Sequence, residues 1–570
     1  MIAAAVALAF SAPKESAFFR LEERAGRSAF RAPNGQPFWS FGVCCTGPGF
    51  EPQKVDPKNP GYAGLQHYPD EKAWAKGTAH DLRSWGFNSL GGWSDVDLFK
   101  KAGVKMPYFV VLHLGAYDKA PWNDLFADQM QKAIDGAAKA QIPKVRDDPN
   151  LVGYFTDNEL GWWTDTLFPA YIKMPAASKG RKTLMRLVRS HYRGDFNRLQ
   201  KDWMTSSESF AVLEKRGDLT LRPGGNGIKL VDAWTSALAT RYYSMVHRAV
   251  RRHDPRHLIL GDRYAQYYDL PVARAAAPYV DGISTNLGAE WTDGGLSRFF
   301  LESLHKVTKK PLIVTEFYMA AMENRSGNRN SSGGFPIVQT QNERAAAFRR
   351  NVAEMAARPY VVGAHWFQFY DEPTHGRGDG ENYNMGLVDI HGQAYEKLTE
   401  VSAALDPARR HAASALTPIL NTAPPAPADP MKGLKDWRRE RALVAPSSGD
   451  PFGDLYVVWK PDALYLGMYA MDYMDESLYV AGRIPQIERP TWTVRRFGKP
   501  FTVRYGGKDQ KATVDRPDLQ IAELPGLKFT TIVRVPGKFS AGKRIDLKVD
   551  LASHSRAEQM GWQRSVRLIP

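Results

Sequence analysis

From about residue 36 to 405, short apolar runs alternate with longer amphipathic stretches. The runs are PFWSFGV (37–43), FNSLGGW (87–93), MPYFVVLHL (106–114), LVGYFTD (151–157), HLILGDR (257–263), VDGISTN (280–286), PLIVTEF (311–317) and YVVGAHWFQF (360–369). Runs of this length read as buried strands, while apolar positions three and four apart mark one face of a helix, as in 233–253 and 342–358. Eight β/α repeats predict an α/β fold of the (β/α)8 TIM-barrel type over 31–405. A doubly wound open sheet also alternates, but eight repeats with polar residues at so many strand ends favour closure. No Gly-rich phosphate loop follows the first strand, which argues against a dinucleotide fold. The longest insertion, about 160–232, lies between the fourth and fifth runs. Its segment 191–213 predicts two short helices that wall one side of a cleft.

The pattern changes after 405. Residues 406–432 are rich in Ala, Pro and Thr, with APPAPADP at 423–430, and read as a semi-stiff linker. Residues 433–570 show short alternating runs separated by turn residues: 454–460, 463–472, 501–507, 528–536 and 544–552. That is the pattern of an all-β sandwich. At the other end, residues 1–30 read as a signal-like segment and lead-in. MIAAAVALAF followed by SAP resembles the apolar and small-residue parts of an export signal, without a basic start. A secreted or periplasmic location is therefore expected. No run of 18 apolar residues predicts a membrane span.

Composition narrows this little further. The chain has 570 residues, 43% hydrophobic, enough for sizeable cores. Its two cysteines, Cys44 and Cys45, are adjacent and read as small apolar residues, not as a metal site or a disulfide scaffold. The formal net charge of +15 suits an anionic surface or acidic polysaccharide, or reflects surface composition alone. No basic arm or finger pattern points to nucleic acid.

Chemistry gathers at the ends of the apolar runs. LVGYFTDNEL ends in Glu159, preceded by Asn158, and PLIVTEF carries Glu316 near its end. Two carboxylates at strand tips on one face of a barrel are what two-carboxylate glycoside hydrolysis needs. An Asn before the first Glu suits a bond to a sugar 2-hydroxyl, which assigns Glu159 as acid/base and Glu316 as nucleophile. Trp162 and Trp163 offer an apolar wall beside Glu159. His113, Arg263, Tyr264, Asn286 and Tyr318 occupy other strand ends; Arg263 suits charge pairing with the nucleophile and Tyr264 suits stacking. The eighth unit adds His365, Trp366 and Gln368, then Asp371, Glu372, Arg377, Asp379, Glu381, Asn382 and Asn384 in a Gly-rich loop. Aromatic faces stack on sugars and the polar groups bond hydroxyls, so Trp366 is expected to floor the subsite next to the cleaved bond. The acidic loop could instead be a solvated turn or a calcium site, although it lacks the twelve-residue calcium-loop spacing. Neither a G-x-S-x-G elbow nor H-E-x-x-H is present, so no cofactor or metal is expected.

These segments carry a family likeness. TDNELGWW and VTEF resemble the fourth- and seventh-strand signatures of the clan A glycoside hydrolases. GAHWFQFYDEPTHGRGDGENYNMGLVD (363–389), QTQNERAAAF (339–348), WGFNSLGGWSD (85–95) and DPRHLILGDRY (254–264) resemble the family 50 β-agarases. The resemblance implies a retaining mechanism on a β-linked galactan of agarose or porphyran type. DLYVVWKPDALYLGMYAMD and SHSRAEQMGWQRSVRLI resemble family 9 carbohydrate-binding modules, with Trp437, Trp459 and Trp492 as candidate sugar platforms. The expected partner is a polysaccharide or oligosaccharide, with no membrane insertion and the oligomeric state open. An exo-acting β-galactosidase, a β-glucan hydrolase or a non-catalytic carbohydrate-binding scaffold remain alternatives.

Overall fold

Each of the eight apolar runs contributes a strand to one parallel sheet. The computed structural model describes residues 17–222, 225–266, 269–332, 334–471, 489–505, 512–524, 528–553 and 558–570; residues 1–16 of the signal-like segment lie outside them. The barrel strands are Ser40–Val43, Ser89–Leu90, Tyr108–Val111, Leu151–Phe155 continued by Asp157–Asn158, Leu258–Ile259 continued by Asp262–Arg263, Ile283–Asn286, Leu312–Phe317 and Val361–Trp366. Consecutive strands pair in parallel, and the eighth pairs with the first. Closure between the fifth and sixth comes from a parallel bridge of Tyr264 with Thr285. All polar strand ends therefore rise at one mouth.

The barrel is filled by Phe109, Phe155, Val152, Leu260, Ile313 and Val362. A hairpin, Arg20–Arg24 with Arg27–Arg31, brings Phe19 and Phe30 into the same cluster. Its Ser28 N–H donates to the Pro359 carbonyl just ahead of the eighth strand, so the hairpin stoppers the base. Part of the expected lead-in is thus structural. Helix Ile228–His253 buries a long apolar face, and helix Gln341–Ala356 begins with a reciprocal Thr340–Glu343 capping box. Among the described residues, the insertion after the fourth strand holds the helices Thr164–Ile172, Lys179–His191, Phe196–Asp202 and Phe210–Arg216. One of them, Phe196–Asp202, falls within the segment 191–213, and Lys179–His191 and Phe210–Arg216 overlap its two ends.

Beyond the barrel, the described residues form a six-stranded and a five-stranded sheet, both largely antiparallel. The 406–432 segment is anchored at several points, while 415–418 and Leu420 are exposed. Helix Pro407–Ala412 buries His411, whose Nε2 lies 2.8 Å from the Ser28 carbonyl. Thr422–Ala423 pairs with the C-terminal strand, and the proline run continues along the sheet edge, where Pro424 accepts from Trp459 N–H and Pro425 needs no donor. The sugar platforms expected on this domain are absorbed by packing. Trp437 and Trp492 are buried, and half-buried Trp459 donates its Nε1–H to the Ile569 carbonyl.

Candidate active site

Asn286, at the tip of the sixth strand, joins the two glutamates. Its side-chain amide nitrogen lies 2.9 Å from Glu159 Oε1, 3.1 Å from Glu316 Oε1 and 3.2 Å from Asn158 Oδ1. Since both carboxylate oxygens touch one nitrogen, they can be at most about 6 Å apart. Thr315 Oγ1 donates to Asn286 Oδ1 at 2.8 Å and fixes the orientation of the amide. Arg263, fully buried, places Nη2 2.9 Å from Glu316 Oε1 and 2.8 Å from the Thr315 carbonyl. Its guanidinium stacks 4.2 Å over the Trp93 ring.

Two register shifts aim these groups. The sixth and seventh strands slip between Thr285 and Asn286, and the seventh and eighth between Val314 and Phe317. Such bulges break the alternation of a strand and re-aim a side chain, so both Thr315 and Glu316 face the cluster. Backbone strain collects at the same mouth. Cys45, Trp93, His113 and Glu159 have φ of 53°, 60°, 49° and 48°. They follow the first four barrel strands one after another, and left-handed non-glycine residues of this kind gather at functional sites.

The electrostatics follow from burial and neighbours. Burial pushes Glu316 up to about 8; Arg263 pulls against it and Glu159 adds to it. Burial and Arg263 lower His113, whose neutral Nε2 accepts from Trp93 Nε1–H at 3.1 Å. Asp157 accepts the N–H groups of Gly115 and Ala116 and the Tyr242 hydroxyl, tying the loop after His113 to the fourth strand. A cavity of about 80 Å³ borders Glu159 and is walled by Trp162, Trp163, Asp262 and Tyr264.

The other expected site residues have partners within the protein, some beside the glutamates and some remote from them. His365 is 0% exposed, inside the barrel, with Nε2 2.9 Å from Ser40 Oγ. Trp366 is 0% exposed and packs between sheet and helix on Phe317 and Phe348, its Nε1–H bonded to the Met385 carbonyl. Neither can touch a sugar, because consecutive strand residues face the two sides of the sheet and both sides are covered here. Gln368 is buried, its backbone bonded to Met385 and Leu387. Asp371 is a buried hub for Ser326, Asn384, Gly386 and Tyr395. Asn382 binds Ser331 and Ser332, holding the loop after the seventh strand. Glu381 pairs with Arg377 at 3.0 Å and adds to the field on Glu316. Tyr264 and Tyr318 are buried, their hydroxyls accepting from Tyr243 at 2.9 Å and Gln266 at 2.6 Å.

The exposed aromatics at the mouth were not expected. Trp93 is 40% and Tyr117 80% exposed, flanking His113 at 6.3 and 5.8 Å between ring centres. Phe50 and Met322, in loops after the first and seventh strands, are also exposed. The available signal was the pair Gly91–Gly92 before Trp93, which marks a sharp turn after a strand.

No family model matches the chain. It is 30% identical over 349 residues, 58% of its length, to beta-agarase B of Vibrio sp. (strain JT0107). It is 28% identical over 372 residues, 59% of its length, to beta-agarase A of the same strain. The matches span 36% of the length of each relative. Among solved structures it is similar to PfGH50B (TM-score 0.59, 22% identity, 71% of this chain and 68% of that one). It is also similar to the agarase AgWH50C (TM-score 0.58, 23% identity, 70% and 65%) and to an exo-beta-agarase (TM-score 0.58, 22% identity, 71% and 66%). The fold is thus an agarase-like (β/α)8 barrel followed by a β-rich domain, on a chain similar in sequence to two β-agarases.

Proposed function

We propose that this chain is a retaining glycoside hydrolase cleaving β-linkages in a galactan of agarose type. The observation that carries the reading is the Asn286 amide touching both carboxylates, which limits their oxygens to about 6 Å. Retaining pairs stand roughly 5–5.5 Å apart and inverting pairs about 6.5–9.5 Å, leaving room for a water. The galactan assignment is supported by the similarity to beta-agarases A and B. Export of the protein, acting on an external polysaccharide, completes the proposal; among the described residues no helix is long and apolar enough to cross a membrane.

In this reading Glu316 attacks the anomeric carbon while Glu159 protonates the departing oxygen. A covalent glycosyl–enzyme forms, and Glu159 then takes a proton from the water that releases the sugar. Arg263 favours the ionised form of Glu316 and offsets part of the cost of burial. Asn286 and Asn158 face the sugar hydroxyls nearest the reacting carbon. Trp93 and Tyr117 provide apolar faces at the mouth.

The test uses two variants. Glu316→Ala is expected to lose nearly all turnover of agarose oligosaccharides and to form an α-glycosyl azide from an activated β-glycoside when azide is added. Glu159→Ala is expected to lose roughly 10²–10⁴-fold on natural linkages and to give the β-azide. Turnover by Glu316→Ala at the wild-type rate would refute the assignment.

A further inference from the structure

The loop that leads from Asn286 to helix Phe299–Thr308 is pinned by buried charged side chains of the β-rich domain. Glu290, four residues after Asn286, binds Lys528 from that domain, and both side chains are 2% exposed. The Lys528 ammonium also lies 4.6 Å over the Phe300 ring. The same carboxylate accepts the Ser297 N–H and hydroxyl, which folds the loop on itself. Asp293 takes two bonds from Arg439, at 2.8 and 2.7 Å, while the Arg439 guanidinium lies 4.1 Å over Trp291. Asp454 accepts the N–H groups of Arg298 at 2.6 Å and Phe299 at 3.4 Å, so a β-domain carboxylate caps the barrel helix.

Buried ion pairs are weak stabilisers, and apolar residues of the same volume often serve as well. What three charged anchors on one loop specify is its position. That loop starts at the residue whose amide meets both glutamates, and the β-rich domain exposes no large aromatic side chain among the described residues.

We infer that the β-rich domain is a brace for the barrel's chemistry: Lys528, Arg439 and Asp454 are positioning residues that hold the 287–298 loop and, through it, Asn286. The inference rests on the proposed roles of Glu159 and Glu316 and deepens them.

The test uses the full chain. Lys528→Met combined with Glu290→Gln removes the pair without stranding a charge, and Arg439→Lys keeps the charge but loses the guanidinium that links Asp293 to the Leu434 and Lys435 carbonyls. Leu551→Ala, in the core of the β-rich domain, is the control for stability loss alone. The brace variants are expected to lose about tenfold or more in kcat on an agarose oligosaccharide, with KM changed less than about threefold. Their acid limb in the kcat/KM profile is expected to move, and that of Leu551→Ala to stay. Folded brace variants with wild-type kcat, KM and pH limb would overturn the inference, and Arg439→Lys decides alone if the double variant does not fold. Should the wild type turn over no galactan, the functional reading fails separately. Amide hydrogen exchange in 283–298 then decides the brace: faster by about tenfold in the brace variants but not in Leu551→Ala supports it, and equal rates overturn it.

Discussion

Asn286 offers two amide protons to three acceptors, so its place decides how the two glutamates share charge. A hydrogen bond to a charged group contributes about 1.5–3 kcal/mol. Asn286→Ala is therefore expected to lower kcat/KM by roughly 10- to 150-fold, and unchanged kinetics would show that the amide is a bystander. Arg263 acts on the same pair through charge. Burial raises Glu316 to about 8 with Arg263 already opposing it. Removing the cation favours the proton further, and Glu316 must be ionised to attack. Arg263→Met is thus expected to shift the acid limb of kcat/KM to higher pH; a limb that stays or moves down contradicts the pairing. Glu159, Glu316 and Arg263 were legible because strand-end carboxylates and a strand-end arginine have few structural uses. His365 and Trp366 misled because strand position alone does not say which face a side chain takes once a neighbouring strand is bulged.

At the scale of elements, the eight barrel strands and the two long helices were legible, since each had a clear period of its own. The short pairings were not. Thr422–Ala423 is a two-residue strand whose existence depends on a partner far along the chain, Arg567 and Leu568, and Leu443–Val444 is too short to carry a period of its own. The eighth strand gives a direct check of the corrected reading. Trp366 bonds Met385 and packs on Phe317 and Phe348, away from the cleft. Trp366→Phe is expected to cost about 1–3 kcal/mol of stability through lost volume and a lost hydrogen bond, measured by denaturant unfolding, while KM is unchanged. A raised KM with full stability would return Trp366 to the sugar site.

The whole molecule buries several carboxyl groups that its two domains share out. Burial raises Asp157 and Asp454 to about 7 and Asp262 and Glu316 to about 8. Groups of this kind keep more protons folded than unfolded, so their contribution is complete below the unfolded values near 4 and is lost as pH climbs toward 8. The Tm is expected to fall between about pH 5 and 8.5; a Tm rising over that range would contradict the burial of these groups. The two-domain order was readable from the change of pattern after 405, but the contacts between the domains were not. Lys528, Arg439 and Asp454 are ordinary charged residues in the chain, and only the fold brings them to Glu290, Asp293 and Arg298.

The central claim is that Glu159 and Glu316 perform a double displacement on a β-linked galactan. Proton NMR of an agarose oligosaccharide during the first minutes of reaction reads this directly. The account predicts that the new reducing end appears as the β-anomer and only later mutarotates. First appearance of the α-anomer, or no cleavage of the oligosaccharide, would contradict it.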